Sequence, residues 1–187
     1  MPTGHQSLKG RLLLDGGPLR GSYFHRAVVL VCEHDRQGAF GLVLNRPSEN
    51  RLPEVLSADL PERLKDGLLH AGGPVQPAAL SYLYAQPVLL AGNVFENVSV
   101  GHDLEELIDL GRTWIPGGRL RVFAGYAGWA PGQLDDELRR EAWLTHPATV
   151  DLVFAEPTTD LWRNILRSRP RWEERLLPDA PEDLSLN

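Results

Sequence analysis

Asn45-Arg46-Pro47 places a planar guanidinium fork and an amide on a proline-restricted turn, a set suited to a carboxylate, a phosphate or a partner's backbone. The competing reading is an Asx-type turn in which Arg46 pairs with one of the chain's own acids. Trp129 and Gln133 form a second pair, because an indole can line a pocket mouth with its N–H free to bond, or fill the core. Asn45, Arg46, Trp129 and Gln133 are therefore the candidate ligand- or partner-binding residues, expected to line one cleft or groove that takes a small anion or a protein partner. No catalytic residue, metal ligand or cofactor is assigned.

Other chemistry is suggested and weighed down by spacing. Cys32, Glu33 and His34 invite a small hydrolase or transferase, with Cys32 as nucleophile and a histidine as base. On a regular strand Cys32 would share a face with His34 while Glu33 points the other way, and a cysteine ending an apolar strand reads as an inert core residue. His34, Asp35, His70, His102 and Asp103 include metal-ligand types but lack the close spacing of a zinc finger or an H-E-x-x-H helix. The glycines between Gly125 and Gln133 could cradle a phosphate at a helix start, yet no Lys-Ser or Lys-Thr follows them. Arg163, Arg167, Arg169, Arg171 and Arg175 read as the solvated end of a helix rather than a nucleic-acid surface.

The elements that must position these residues follow from periodicity. Leu120 to Gly125 alternates as a strand, Gly125 to Gly132 turns, and Leu134 with Leu138 marks one face of a helix for which Pro131 suits a first position. Arg11–Asp15 reads as a short strand, and Ala27–Cys32 as a strand buried on both faces. Phe40–Leu44 returns from it as a hairpin, stopped by Asn45 to Ser48. Pro53–Leu60 is expected as a short helix, with one further turn after Pro61. Leu68–Ala71 enters the Gly72-Gly73-Pro74 turn, Leu80–Ala85 is a strand, and Val88–Val100 a broken hairpin. Asp103 with Glu106 starts a helix over 104–110 that Gly111 ends. Thr149–Phe154 is expected as a strand and Asp160–Arg167 as a closing helix with Leu161, Trp162, Ile165 and Leu166 inward.

Composition bounds the rest. The 187 residues, 42% hydrophobic, suffice for one core, so residues 1–177 are expected as a single domain and 178–187 as a frayed tail. A formal charge of -6 argues against direct nucleic-acid binding. Cys32 is the single cysteine, which leaves no internal disulfide. With no apolar run of roughly 20 residues and no apolar core near Met1, no membrane association is expected and the location is cytoplasmic.

Four blocks, Cys32-Glu33-His34-Asp35, Gly38 through Pro47, Gly72-Gly73-Pro74-Val75, and Gly125 through Leu134 with Glu137 and Trp143, resemble the signatures of the bacterial YqgE/AlgH family. They fall in the right order across most of the chain. The resemblance implies a single compact α+β domain with a largely antiparallel or mixed sheet core, closure into a barrel being one form it can take, flanked by short helices. The family is functionally uncharacterised. Its label of transcriptional regulator has no recognisable DNA-binding motif behind it here. The chain departs from the family pattern at Leu12 to Pro18, where an apolar stretch ending in Met-Pro is usual, and at Arg26-Ala27 in place of Arg-Ser. A noncatalytic binding or regulatory module is the expected function, with the Cys32 or histidine enzyme as its alternative.

Overall fold

Every side chain from Ala27 to Cys32 is fully buried, and the architecture is arranged around that ribbon. In the computed structural model, which describes residues 6–88, 91–171, 174 and 177–179, the strands are β1 (Arg11–Asp15), β2 (Val28–Asp35), β3 (Gly38–Val43), β4 (Pro47–Arg51), β5 (Leu68–Ala71), β6 (Val75–Ala85), β7 (Ser99–Gly101), β8 (Arg119–Trp129) and β9 (Trp143–Pro147). The helices are α1 (Leu52–Val55), α2 (Glu62–Lys65), α3 (Leu104–Arg112), α4 (Gln133–Arg139), α5 (Val150–Val153) and α6 (Leu161–Ser168). Among the described residues these strands make one sheet ordered β4-β5-β8-β3-β2-β1-β9, with β6 bridging β8 to β7. The sheet is mixed, since β5 runs parallel to β8 while the other pairings are antiparallel. It is open, so the fold is α+β without closure into a barrel.

β8 is the branch point. Its residues Val122–Ala124 pair with β5 on one edge and with β6 on the other, and its end, Ala127–Trp129, pairs with β3. Gly72 ties the handover from β5 to β3, donating to Ala124 O at 2.9 Å and accepting from Val43 N at 2.8 Å. The expected turn after Gly125 is therefore strand up to Trp129. Gly125 keeps a positive φ of 72° because a Cβ there would meet Gly73 O at 2.5 Å.

Three apolar clusters hold the layers. One lies between β1–β3, β6–β7 and the helices α5 and α6, built on Leu12, Leu30, Leu42, Phe123 and Trp162. A second packs Val29, Val31, Trp129, Leu134 and Trp143 under α4, and a third packs Leu64, Tyr82, Leu107 and Val122 under α1–α3. Each large aliphatic side chain buried this way contributes about 1.5–3 kcal/mol, whereas exposed pairs such as Lys65 with Glu62 are screened by solvent. The clusters decide the fold.

Six further expectations are corrected. Thr149–Phe154 is not a strand: Thr149 Oγ1 accepts from Leu152 N at 3.2 Å and caps α5. The stop at Asn45–Ser48 is brief, because Pro47 opens the polar edge strand β4. α1 is a single turn rather than a helix to Leu60. α3 continues through Gly111 to Arg112, and Pro131 precedes α4, whose cap is Gly132 with φ 74°. The Val88–Val100 hairpin reduces to β7 and one bridge between Phe95 and Val98 among the described residues. The expected tail lies outside the described residues from 180 onward. Among the described residues, no helix is long and apolar enough to cross a membrane.

Candidate functional site

Asn45 and Arg46 sit where β3 gives way to β4, and both hold the loop between β1 and β2. The buried Asn45 amide accepts from Val28 N at 2.8 Å through Oδ1 and donates from Nδ2 to Arg26 O at 2.9 Å. Arg46 donates to its neighbour Asn45 O at 3.1 Å and to His25 O. Its half-buried guanidinium thus has backbone carbonyls for partners, and burial lowers its pKa against the opposing pull of Tyr23 and Asp15. The pair lines a cleft of about 290 Å³ with His25, Arg26, Asp160, Trp162 and Arg163. Arg26, held at φ 54°, lays its guanidinium 5.5 Å from the centre of the Trp162 ring.

Asp15, which drew no notice in the sequence, fixes the same loop. Its buried carboxylate accepts from Gly17 N at 2.8 Å and from Arg26 N at 2.7 Å, while His25 Nδ1 stands 3.5 Å from Oδ2. The signal was present as Asp-Gly-Gly-Pro, an acid that can bond its own backbone two residues on.

Trp129 and Gln133 come together, but away from Asn45 and Arg46. Trp129 is 7% exposed and donates from Nε1 to Glu137 Oε2 at 2.9 Å. Gln133 accepts from Ala130 N at 3.0 Å and donates to Glu137 Oε1 at 2.9 Å. Trp129 pairs with Ala39 at the far end of β3, which puts it roughly 20 Å along the strand from Asn45. One cleft lined by all four residues was the expectation, and the fold instead places Asn45–Arg46 and Trp129–Gln133 at two separate corners.

The other candidates also disperse. The register slips between Val31 and Glu33, so a β-bulge reverses the alternation there. Cys32 packs with Leu30 in the first cluster, whereas His34 pairs with Ala39 of the second and turns its Nε2 toward Asp135 Oδ1, 3.8 Å away. The expected shared face does not exist. Cys32 is fully buried, with its thiol pKa pushed up by desolvation and by the charge of Glu33, which disfavours a thiolate nucleophile. His34 Nδ1 accepts from Leu8 N at 3.1 Å, His102 Nδ1 lies 2.9 Å from Ser81 Oγ, and His70 rests beside Phe123. Among the described residues, no group of three or more His, Cys, Asp or Glu side chains could hold a metal ion. Arg169 is not solvated as expected: it pairs with Glu174 and donates to Thr145 O at 2.8 Å. Arg175 lies outside the described residues.

The largest concavity named here was not foreseen. A groove of about 630 Å³ lies over the row Ala71, Ala124 and Leu80, which stand side by side on β5, β8 and β6. Tyr23 crosses one end, its hydroxyl donating to Ala71 O at 3.4 Å, and Val55 and Leu56 form a wall. His70 lines both this groove and a neighbouring cleft that contains Arg121 and Glu156. Its buried Nδ1 has no hydrogen-bond partner among the described residues, and burial, followed by the charge of Arg121, lowers its pKa to about 4.

The model of the AlgH-like family matches residues 12–171 of this open-sheet α+β chain. The chain belongs to that family. It is 39% identical to a UPF0301 protein of Streptomyces coelicolor over 97% of this chain and 96% of that one. It is 34% identical to a UPF0301 protein of Chlorobium limicola, over 95% of each chain. The solution structure of the AlgH protein from Pseudomonas aeruginosa matches with a TM-score of 0.72 and 30% identity, covering 97% of this chain and 96% of that one. The family is uncharacterised, and its regulator label is a family-level name.

Proposed function

We propose that this chain is a noncatalytic binding module that recognises an acidic group, on a small molecule or a protein partner, at the Asn45–Arg46 cleft. The observation that carries the reading is the half-buried Arg46 fork, hydrogen-bonded among the described residues to carbonyls alone and sharing its cleft with Arg26 and Arg163 against one acid, Asp160. A guanidinium in that setting still has donors for a carboxylate or phosphate, and partial burial strengthens a charge-assisted bond. Asn45 acts behind it by splicing the loop to β2, so that the cleft is preorganised before a ligand arrives.

Thermal melts in inorganic phosphate and in acetate, compared with chloride at equal ionic strength, test the reading. Either anion raises the melting temperature in a saturable way. Arg46→Ala removes the shift, and Arg46→Lys retains part of it because the charge stays while the fork is lost. No shift with either anion, or an equal shift in Arg46→Ala, overturns the reading.

A further inference from the structure

The groove over Ala71 and Ala124 is a consequence of how little helix covers that face. The adjoining row, Leu69, Val122 and Tyr82, is sealed in the third apolar cluster, but α1 ends after one turn at Val55. The next row along the strands therefore has alanines for a floor and no roof. Tyr23 and Val55, two of the exposed large apolar side chains of the molecule, stand on its rim at 39% and 43% exposure.

Its electrostatic character selects the occupant. None of the described lining residues is Asp, Glu, Lys or Arg, although such residues make up 24% of the chain. The polar side chains there are the neutral Ser48, Asn50 and Tyr23. Bringing a charge into a site without a counter-charge carries a desolvation cost, whereas a hydroxyl or carbonyl finds a donor and an acceptor at the Asn50 side-chain amide. A volume of about 630 Å³ falls in the range of small-molecule sites, roughly 300–1,000 Å³.

We infer that this groove is a second binding site, for an uncharged small molecule with a hydrocarbon body and a single hydrogen-bonding end group. The site is distinct from the Arg46 cleft and takes ligands of the opposite character.

Fluorescence titration with N-phenyl-naphthylamine, an uncharged apolar probe, tests it, followed by competition with dodecanol and with dodecanoate. Saturable one-site uptake is expected, with dodecanol displacing the probe at least about tenfold better than dodecanoate. Val55→Asp and Ala78→Trp change exposed groove residues outside the core, and each weakens uptake at least about tenfold. Inorganic phosphate at concentrations that saturate the proposed anion cleft does not displace the probe, which separates the two sites. Uptake that does not saturate, that persists in both groove variants, or that dodecanoate displaces as well as dodecanol overturns the inference. So does a dimer that Val55→Asp dissociates in protein that takes up no probe, since a second copy would then cover the groove.

Discussion

Trp129 and Trp143 donate their indole N–H groups to one and the same oxygen, Oε2 of Glu137, at 2.9 and 2.8 Å. The two rings meet edge to face at 6.3 Å, and Phe24 packs on both. One carboxylate on α4 thereby fixes the end of β8 and the start of β9. Glu137→Ala orphans two buried donors, so unfolding in urea is expected to show a loss of about 2–4 kcal/mol. Glu137→Gln keeps an acceptor and loses less.

Asn45 predicts a similar structural effect with a different signature. Asn45→Ala leaves the Val28 N–H and the Arg26 carbonyl without partners at a buried strand start. A loss of about 2–3 kcal/mol follows from the unfolding midpoint. Asn45→Asp keeps the acceptor for Val28 but sets a carboxylate against the Arg26 carbonyl, so it is expected to restore little.

His70 makes stability depend on pH. Its pKa falls from 6.5 to about 4 in the folded chain, so between those values the unfolded chain binds a proton that the folded chain refuses. Stability therefore declines as pH drops from 6.5 toward 4, by up to about 1.4 kcal/mol per unit, and this group adds no further loss below that range. Denaturant midpoints measured across the window show the slope, and His70→Phe flattens it. An unchanged slope in that variant refutes the assignment.

Cys32 is expected to resist alkylation in the native state. Its side chain is fully buried on a central strand and its Sγ lies 3.7 Å from Leu30 O. Labelling by a neutral thiol reagent should be slower than in the unfolded chain by at least about a thousandfold, because modification waits for opening of the core. Rapid labelling of folded protein would restore the nucleophile reading.

The central hairpin and α6 were legible because their patterns are strong. Ala27–Cys32 is continuously apolar, and Leu161, Trp162, Ile165 and Leu166 recur at helical spacing and do face inward. β4, by contrast, is Pro-Ser-Glu-Asn-Arg, whose strand conformation comes from pairing with β5 and from nothing in its own side chains. Gly111 looked like a helix stop, yet a Cβ there would come within 3.0 Å of Leu64, so it lets α2 and α3 approach. The division of the candidate residues into two corners depended on how far Trp129 continues along β8, and the glycines at 125 and 128 concealed that continuation. The groove could not be read at all, because Tyr23, Val55, Ala71 and Ala124 are distant in sequence and individually ordinary.

Because β3, β5 and β6 each place one edge on β8, the strands made early in synthesis depend on a late segment for their cover. Until residues 119–129 emerge, three ribbons wait with unpaired edges, among the most sticky surfaces a nascent polypeptide presents. A fragment ending before Arg119 is therefore expected to aggregate more readily than the whole chain, because the edges that β8 would cover stay open.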